Sequence, residues 1–327
     1  MAGRGLLAAV LVSVAAGVGC ERATPPPTRS TSQPPVTDRP SSASAQKPAL
    51  VFDGEIGRGS PDTVSFLGPF GVHVDARHRL IVVDDLAHTA FVFEESGGLA
   101  GRFGEQGDRP GQLLYPDGVT TDAAGNLYIA DAGSNRVQIL GPAWTPLAEI
   151  RRWRVIGGQL ANPRDVAIGR DGRLYVADWG NHAVRVFSDA RRHVQSIGGQ
   201  GREPGQFVNP VSIALDADDR VYVSDQGNHR VQVFDHSGMF LRVIGERGTE
   251  PGQFNGPSGL AIDSDGRLFV ADSGNRRVQI FTATGHVLTS ITGGAEAPLG
   301  RPVDVAVSER RLYVSDAGRH TVQRFRR

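Results

Sequence analysis

Residues 268–281 have the sequence Leu-Phe-Val-Ala-Asp-Ser-Gly-Asn-Arg-Arg-Val-Gln-Ile-Phe, in which two short apolar runs flank a polar turn that contains a glycine. Runs of this length and composition, separated by such a turn, predict two antiparallel strands. The pattern occurs six times, and its aspartates are separated by 47, 47, 47, 47 and 44 residues. They are Asp84, Asp131, Asp178, Asp225, Asp272 and Asp316. This spacing predicts a repeat protein.

Each copy also has a proline ahead of an apolar segment, which indicates a strand start because proline cannot donate to a strand ladder. The prolines are Pro69, Pro116, Pro163, Pro210, Pro257 and Pro302. In the fifth copy we predict strands at residues 259–262, 268–271, 278–281 and 286–291, and no segment has helical periodicity. Four short strands in each repeat of about 40 to 50 residues are typical of β-propellers. The sequence therefore predicts an all-β fold, a six-bladed β-propeller with four strands per blade.

The last copy lacks an outer strand, because the sequence ends at Arg327 just after its third predicted strand. Residues 50–57 precede the first copy and resemble residues 239–245, an outer strand of the fourth copy. We predict that this N-terminal strand completes the last blade and closes the ring. Removal of the chain up to Gly57 is then expected to destabilise the whole fold.

The turn and the strand after it read Asp-Gln-Gly-Asn-His-Arg-Val-Gln-Val-Phe at residues 225–234, and residues 272–281 are closely similar. Pro-Gly-Gln-Phe segments precede both, at residues 204–207 and 251–254. These motifs resemble the NHL repeat, and the resemblance covers nearly all of residues 50–327. It implies a six-bladed NHL propeller, a class used mainly as a binding platform, with a minority of enzymes.

Residues 1–19 resemble a secretory signal peptide, with an apolar run too short to span a bilayer. The run ends in Gly-Val-Gly-Cys, which resembles the lipobox of bacterial lipoproteins and makes Cys20 the expected lipidation site; ordinary secretory cleavage is the alternative. Residues 20–48 are rich in proline, serine and threonine and are expected to form a disordered linker. Residues 49–327 then form the propeller. We expect a lipoprotein of the cell envelope that faces the periplasm or the exterior, or alternatively a secreted protein.

The formal charge is zero, from 35 basic and 35 acidic side chains, which argues against a nucleic-acid partner. Cys20 is the only cysteine, so an internal disulfide and a zinc cluster of thiolates are excluded. The sequence contains no P-loop and no serine-hydrolase elbow. We expect a monomer.

Three of the repeated aspartates are followed five residues later by an arginine, across the glycine turn. The predicted pairs are Asp131 with Arg136, Asp225 with Arg230 and Asp272 with Arg277. A carboxylate there can accept turn N–H groups and a guanidinium together, so we interpret the pairs as structural joints and not as catalytic groups. The other copies have Thr89, Ala183 and Thr321 at the arginine position, and there the aspartate needs another partner.

We expect ligands at the face that carries both the segment before each innermost strand and the turn between the second and third strands. The residues after the prolines should form an inner circle: Phe70, Asp117, Arg164, Val211, Ser258 and Val303. Those after the aspartates should form a second circle: Asp85, Ala132, Trp179, Gln226, Ser273 and Ala317. Phe70 and Trp179 offer apolar anchors and Asp117 with Arg164 offers charge, as at interaction hot spots. Packing against a neighbouring blade is the alternative for Trp179.

The sequence thus favours a non-catalytic binding scaffold for a protein, peptide or glycan, tethered to a membrane through its lipid anchor. The alternative is an enzyme with an axial site, resembling six-bladed lactonases or peptidyl-amidating lyases that use a divalent metal. The axial candidates are Asp117, Asp165, Asp304, Arg164 and His73, among which we assign no catalytic residue and no metal site. We expect no required cofactor, and calcium is the one ion that three carboxylates could hold.

Overall fold

The computed structural model describes residues 49–57, 64–152 and 158–327. The predicted signal peptide, Cys20 and the linker at residues 20–48 lie outside the described residues. The described residues form six four-stranded sheets, and all strand pairs are antiparallel. Among them we find no helix with the length and apolar character needed to cross a membrane. The sheets confirm the predicted fold class.

The first strand, β1 (Val51–Ile56), precedes the blades. Blade 1 contains β2 (Pro69–Val74), β3 (Leu80–Asp84), β4 (Thr89–Phe93) and β5 (Leu99–Phe103). Blade 2 contains β6 (Pro116–Thr121), β7 (Leu127–Asp131), β8 (Arg136–Leu140) and β9 (Pro146–Ile150). Blade 3 contains β10 (Pro163–Ile168), β11 (Leu174–Asp178), β12 (Ala183–Phe187) and β13 (His193–Gly198).

Blade 4 contains β14 (Pro210–Leu215), β15 (Val221–Asp225), β16 (Arg230–Phe234) and β17 (Phe240–Ile244). Blade 5 contains β18 (Pro257–Ile262), β19 (Leu268–Asp272), β20 (Arg277–Phe281) and β21 (Val287–Ile291). Blade 6 contains β22 (Pro302–Val307), β23 (Arg311–Asp316) and β24 (Thr321–Arg326). In blade 5 the predicted strand limits differ from these by at most two residues, as is usual at strand ends.

Strand β1 supplies the fourth strand of blade 6, as the sequence predicted. The sheet order is β1-β24-β23-β22, and Phe52 lies opposite Phe325 in the antiparallel ladder. The rings of these two residues also contact edge to face, with centroids 5.7 Å apart. The first and last parts of the propeller are therefore joined through one sheet, which closes the ring.

The apolar core lies between neighbouring sheets. Each of six buried clusters combines side chains from two adjacent blades, for example Tyr222 and Val233 of blade 4 with Phe254 and Leu268 of blade 5. Phe254 belongs to a Pro-Gly-Gln-Phe segment and fills the space beside Gly245, where a Cβ atom would lie 2.3 Å from its ring. Each blade therefore needs both neighbours to bury its two faces.

Candidate functional site

The repeated aspartates are fully buried, and three of them contact the predicted arginines. Arg136 Nε donates to Asp131 at 2.7 Å, and Arg230 and Arg277 donate to their aspartates at 2.8 Å. Each of these guanidinium groups also donates to backbone carbonyls of the loop that leads into the same blade. These contacts connect a turn to a loop, which is the geometry of a structural joint.

The remaining three aspartates have different partners. In blade 3 the guanidinium comes from Arg185, seven residues after Asp178, with Nε 2.8 Å from the carboxylate. The carboxylates of Asp84 and Asp316 instead accept backbone N–H groups of the turn and of the preceding loop. Arg185 could not be inferred from the five-residue spacing, because it occupies the position of glutamine in blades 2, 4 and 5.

The repeated histidines connect neighbouring blades. Their position follows the turn, and the backbone there is left-handed in every blade: His88, Asn135, His182, His229, Arg276 and His320. The Nδ1 atoms of His88, His182 and His229 accept N–H groups of the next blade at 3.0 to 3.1 Å. These contacts distribute the histidines around the ring and give them a structural role.

We call the face that carries these turns the upper face, and the opposite one the lower face. On the upper face, Arg164 Nη1 lies 2.7 Å from the buried carboxylate of Asp117. The guanidinium of Arg164 also lies 5.5 Å from the ring centroid of Trp179 and 6.0 Å from that of Phe70, both within cation–π range. Burial raises the pKa of Asp117 to about 7, although Arg164 acts in the opposite direction. Three other predicted face residues therefore lie around the guanidinium of Arg164.

None of the other predicted face residues is exposed. Val211, Ser258 and Val303 are buried, and Gln226 is half-buried. Val211 and Val303 line a constriction together with Phe70 and Arg164, and the free volume there is about 10 Å³, the space of about one water molecule. The upper mouth of the axial channel is therefore filled by side chains.

Two upper-face residues that the sequence analysis did not select are large, apolar and exposed. Leu86 is 53% exposed, and the other five blades have glycine at its position: Gly133, Gly180, Gly227, Gly274 and Gly318. Tyr115 is 49% exposed and has φ of +49°, where blades 3, 4 and 5 have Asn162, Asn209 and Gly256, also left-handed. Both departures were visible in the aligned repeats, because small or turn-forming residues are replaced by large apolar ones.

Below the constriction, side chains of the innermost strands connect the blades around the axis. Asp165 Oδ2 accepts the hydroxyl of Ser212 at 2.8 Å and the backbone N–H of Ile213 at 2.9 Å. Asp304 Oδ2 accepts the N–H of Val72 at 2.8 Å, so it connects blade 6 to blade 1. Burial raises the pKa of Asp165 to about 6, and burial and then the charge of Asp165 raise the pKa of Asp304.

The lower half of the channel is a cavity of about 240 Å³. Asp165 and Asp304 lie at its inner end, and His73 lies in its wall. His73 Nε2 lies 2.9 Å from Thr121 Oγ1, and burial lowers the pKa of His73 to about 4, so its ring is neutral near pH 7. Within the described residues we find no group of three or more histidine, cysteine, aspartate or glutamate side chains that could hold a metal ion.

Comparison with known proteins matches the NHL repeat at residues 113–140, 160–187, 207–234, 254–281 and 299–325. Protein brain tumor of Drosophila melanogaster is 31% identical over 80 residues, which are 24% of this chain and 8% of the length of that relative.

Among solved structures, a gluconolactonase of Xanthomonas campestris has a TM-score of 0.65 at 14% identity, over 86% of this chain and 98% of that one. Virginiamycin B lyase of Staphylococcus aureus has a TM-score of 0.57 at 14% identity, over 84% and 85% of the two chains. At these identities the likeness shows the fold alone. The five matched repeats and the ring of six sheets together show that this chain is an NHL-repeat protein with a six-bladed β-propeller fold.

Proposed function

We propose that this protein is a non-catalytic binding scaffold, and that the upper face of blades 1 to 3 binds a protein or peptide partner, with a glycan as the less favoured ligand. The observation that carries the proposal is the replacement of glycine by Leu86 and of asparagine or glycine by Tyr115, because both side chains project into solvent. About half of each residue stays exposed, so much of the apolar surface of both side chains faces water in the free protein. A partner that covers these side chains would remove their apolar surface from water, which is favourable.

The backbone of Tyr115 supports this interpretation. A bulky residue at a left-handed φ costs of the order of 1 kcal/mol, and such strain often accompanies functional surfaces. The ring contacts His88 edge to face at a centroid distance of 4.9 Å, which fixes its orientation. Tyrosine, tryptophan and arginine are also the residue types that contribute most to protein interfaces. Tyr115, Trp179 and Arg164 therefore give this face the composition of a binding surface.

Site-specific photo-crosslinking tests the proposal. A photoreactive residue at position 86 is expected to crosslink a partner in cells, whereas one at Met239, which is equally exposed on an outer turn, is not. The double variant Leu86→Ala with Tyr115→Asn, probed through a photoreactive residue at Trp179, should lose the crosslink while its melting temperature is kept. Crosslinking that persists in the folded double variant would refute the proposal.

We further propose that Cys20 is lipidated, so that the propeller is tethered to the membrane of the cell envelope. The expected result is that the protein is in the membrane fraction and that Cys20→Ser moves it to the soluble fraction. Incorporation of a labelled fatty acid into the wild type but not into the variant would distinguish acylation from simple secretory cleavage.

An axial enzyme is the second candidate, and the observation that favours it is the cavity with the carboxyl groups of Asp165 and Asp304 in its lining. A carboxyl group with a raised pKa can transfer protons near neutral pH. The structural likeness to a lyase and a gluconolactonase is compatible with such chemistry and with a pure scaffold alike. The test is an assay of lactone turnover by the purified protein, with and without added divalent metal. Turnover that is lost in Asp304→Asn would favour the enzyme over the scaffold.

A further inference from the structure

The axial cavity is accessible from the lower face. Its upper end is the constriction of about 10 Å³ beneath Arg164, whereas its lower rim is formed by half-buried residues at the ends of the innermost strands. Three rim residues, Val74, Ile262 and Val307, also line a second cavity of about 270 Å³ between the lower loops of blades 1, 5 and 6. A ligand can therefore reach the axis from below through this vestibule.

The walls and the inner end of the cavity differ in chemistry. The residues that line the walls are mainly valine, alanine, isoleucine and leucine of the innermost strands, but most of the surface that they leave accessible is polar. At the inner end lie the carboxyl groups of Asp165 and Asp304, with neutral His73 beside the walls. Cavities of about 150 Å³ can hold a benzene molecule, so 240 Å³ is sufficient for a somewhat larger organic group.

The two carboxyl groups have no cationic partner within the described part of the chain. Their contacts are N–H and hydroxyl donors: three for Asp165, and for Asp304 the N–H groups of Val72 and Val305. Arg164, which lines the constriction, is paired with Asp117. A carboxylate that is partly removed from water favours a positively charged partner, and a ligand can supply that charge.

We propose that the lower part of the axial channel binds a small organic ammonium ion, with its charged head against Asp165 and Asp304 and its organic body along the walls. An ammonium head has N–H donors and no acceptor, which matches carboxylate oxygens and excludes anions. Walls of mixed polar and aliphatic character can hold a small organic body beside the charged head. The site is separate from the proposed partner surface, because the constriction beneath Arg164 lies between the two.

Isothermal titration calorimetry with the full-length protein tests this site. Cyclohexylammonium is the probe, and cyclohexanol is the neutral control of the same shape. We expect cyclohexylammonium to bind at least about tenfold more tightly than cyclohexanol. Asp304→Asn should weaken the binding of cyclohexylammonium by a similar factor and leave the affinity for cyclohexanol unchanged.

A second variant keeps the test decisive if Asp304→Asn is poorly folded. Ala261 lines the cavity, so Ala261→Leu should fill it and abolish binding of both probes without altering a charge. The double variant Leu86→Ala with Tyr115→Asn should bind cyclohexylammonium like the wild type, which separates this site from the partner surface. Equal affinity for the two probes, ammonium binding that survives Ala261→Leu, or calcium binding in place of ammonium binding would each overturn the proposal.

Discussion

Blades 1 to 3 and blades 4 to 6 have the same arrangement of four strands per blade, but their upper-face residues differ. The first half of the ring carries several large or charged residues on this face: Phe70, Leu86, Tyr115, Asp117, Arg164 and Trp179. The second half has mostly small or uncharged residues at the equivalent positions, with Arg301 as the charged exception: Val211, Ser258, Val303, Gln226, Ser273, Ala317, Gly227, Gly274, Gly318, Asn209 and Gly256. The binding surface that we propose therefore lies on one side of the axis.

The structural joints do not follow this division. The aspartate after each second strand is buried in all six blades, and ion pairs with arginine occur in blades 2 to 5. The left-handed residue after the turn also occurs in every blade. A feature shared by both halves is therefore attributed to folding, whereas a feature confined to one half requires another explanation.

Loss of ring closure should have the largest effect, because it affects both halves at once. Deletion of the chain through Gly57 removes β1, its ladder with β24, the Phe52–Phe325 contact and the ion pair of Glu55 with Arg319 at 3.1 Å. We expect a loss of more than about 5 kcal/mol, comparable to the whole stability of many domains. Circular dichroism melting measures this, with deletion of residues 1–48 as the control that keeps the parent transition. A transition at the parent temperature after removal of β1 would contradict the closure role.

Removal of one joint should have the next largest effect. Arg277 donates to Asp272 and to the carbonyls of Glu250 and Gln253 from a mostly buried position. Arg277→Ala is expected to cost about 3 kcal/mol, because it leaves a buried carboxylate without its cation. The matched control is Thr89→Ala at the same repeat position of blade 1, where the hydroxyl donates only to Ala87 and Gly104 carbonyls. Urea denaturation of Thr89→Ala should show a loss in free energy of unfolding below about 1 kcal/mol. Equal losses in the two variants would mean that the Asp–Arg joint of blade 5 stabilises the fold no more than the threonine of blade 1 does.

The axial carboxyl groups should produce a smaller effect that depends on pH. Burial raises the folded-state pKa of Asp165 to about 6, against about 3.9 in an unfolded chain. The folded protein therefore holds an extra proton between these values, and this part of its stability is lost as the pH rises from about 4 to 6. Asparagine does not titrate, so Asp165→Asn lacks that contribution. The loss in free energy of unfolding of the variant relative to the wild type should therefore be about 2 kcal/mol smaller at pH 6 than at pH 4.

Urea denaturation at several pH values measures the difference. If the difference in free energy of unfolding between Asp165→Asn and the wild type does not change with pH, then the Asp165 carboxylate is equally well stabilised in the folded and unfolded chain.

The fold was predictable because its determinants are local and repeated. The 47-residue spacing placed the strands, and the similarity of residues 50–57 to an outer strand placed β1 in blade 6. The three Asp–Arg contacts followed from a five-residue spacing across a turn. Arg185 did not, because in blade 3 the cation moves two residues along the strand and still contacts the same carboxylate.

The site was less predictable, because it depends on where side chains of different blades meet. Asp117 and Arg164 were both selected as face residues, but their contact depends on the direction in which a long side chain lies across the mouth. Because the Arg164 side chain lies across the mouth, it closes the upper end of the cavity, which stays accessible from below. Leu86 and Tyr115 could have been found from the aligned copies, since each replaces a residue type that the turn itself favours.

Tyr115 gives the smallest expected effect and the sharpest test of the proposed surface. In Tyr115→Asn the left-handed backbone is kept by a residue that tolerates it, and this offsets the lost contact with His88. We therefore expect the free energy of unfolding to change by less than about 0.5 kcal/mol. The reverse replacement in blade 3, Asn162→Tyr, should cost about 1 kcal/mol, because it introduces the same strain without the histidine contact. If urea denaturation shows that Tyr115→Asn loses more than Asn162→Tyr, then Tyr115 stabilises the propeller itself, and its exposure on the upper face is not evidence for a partner.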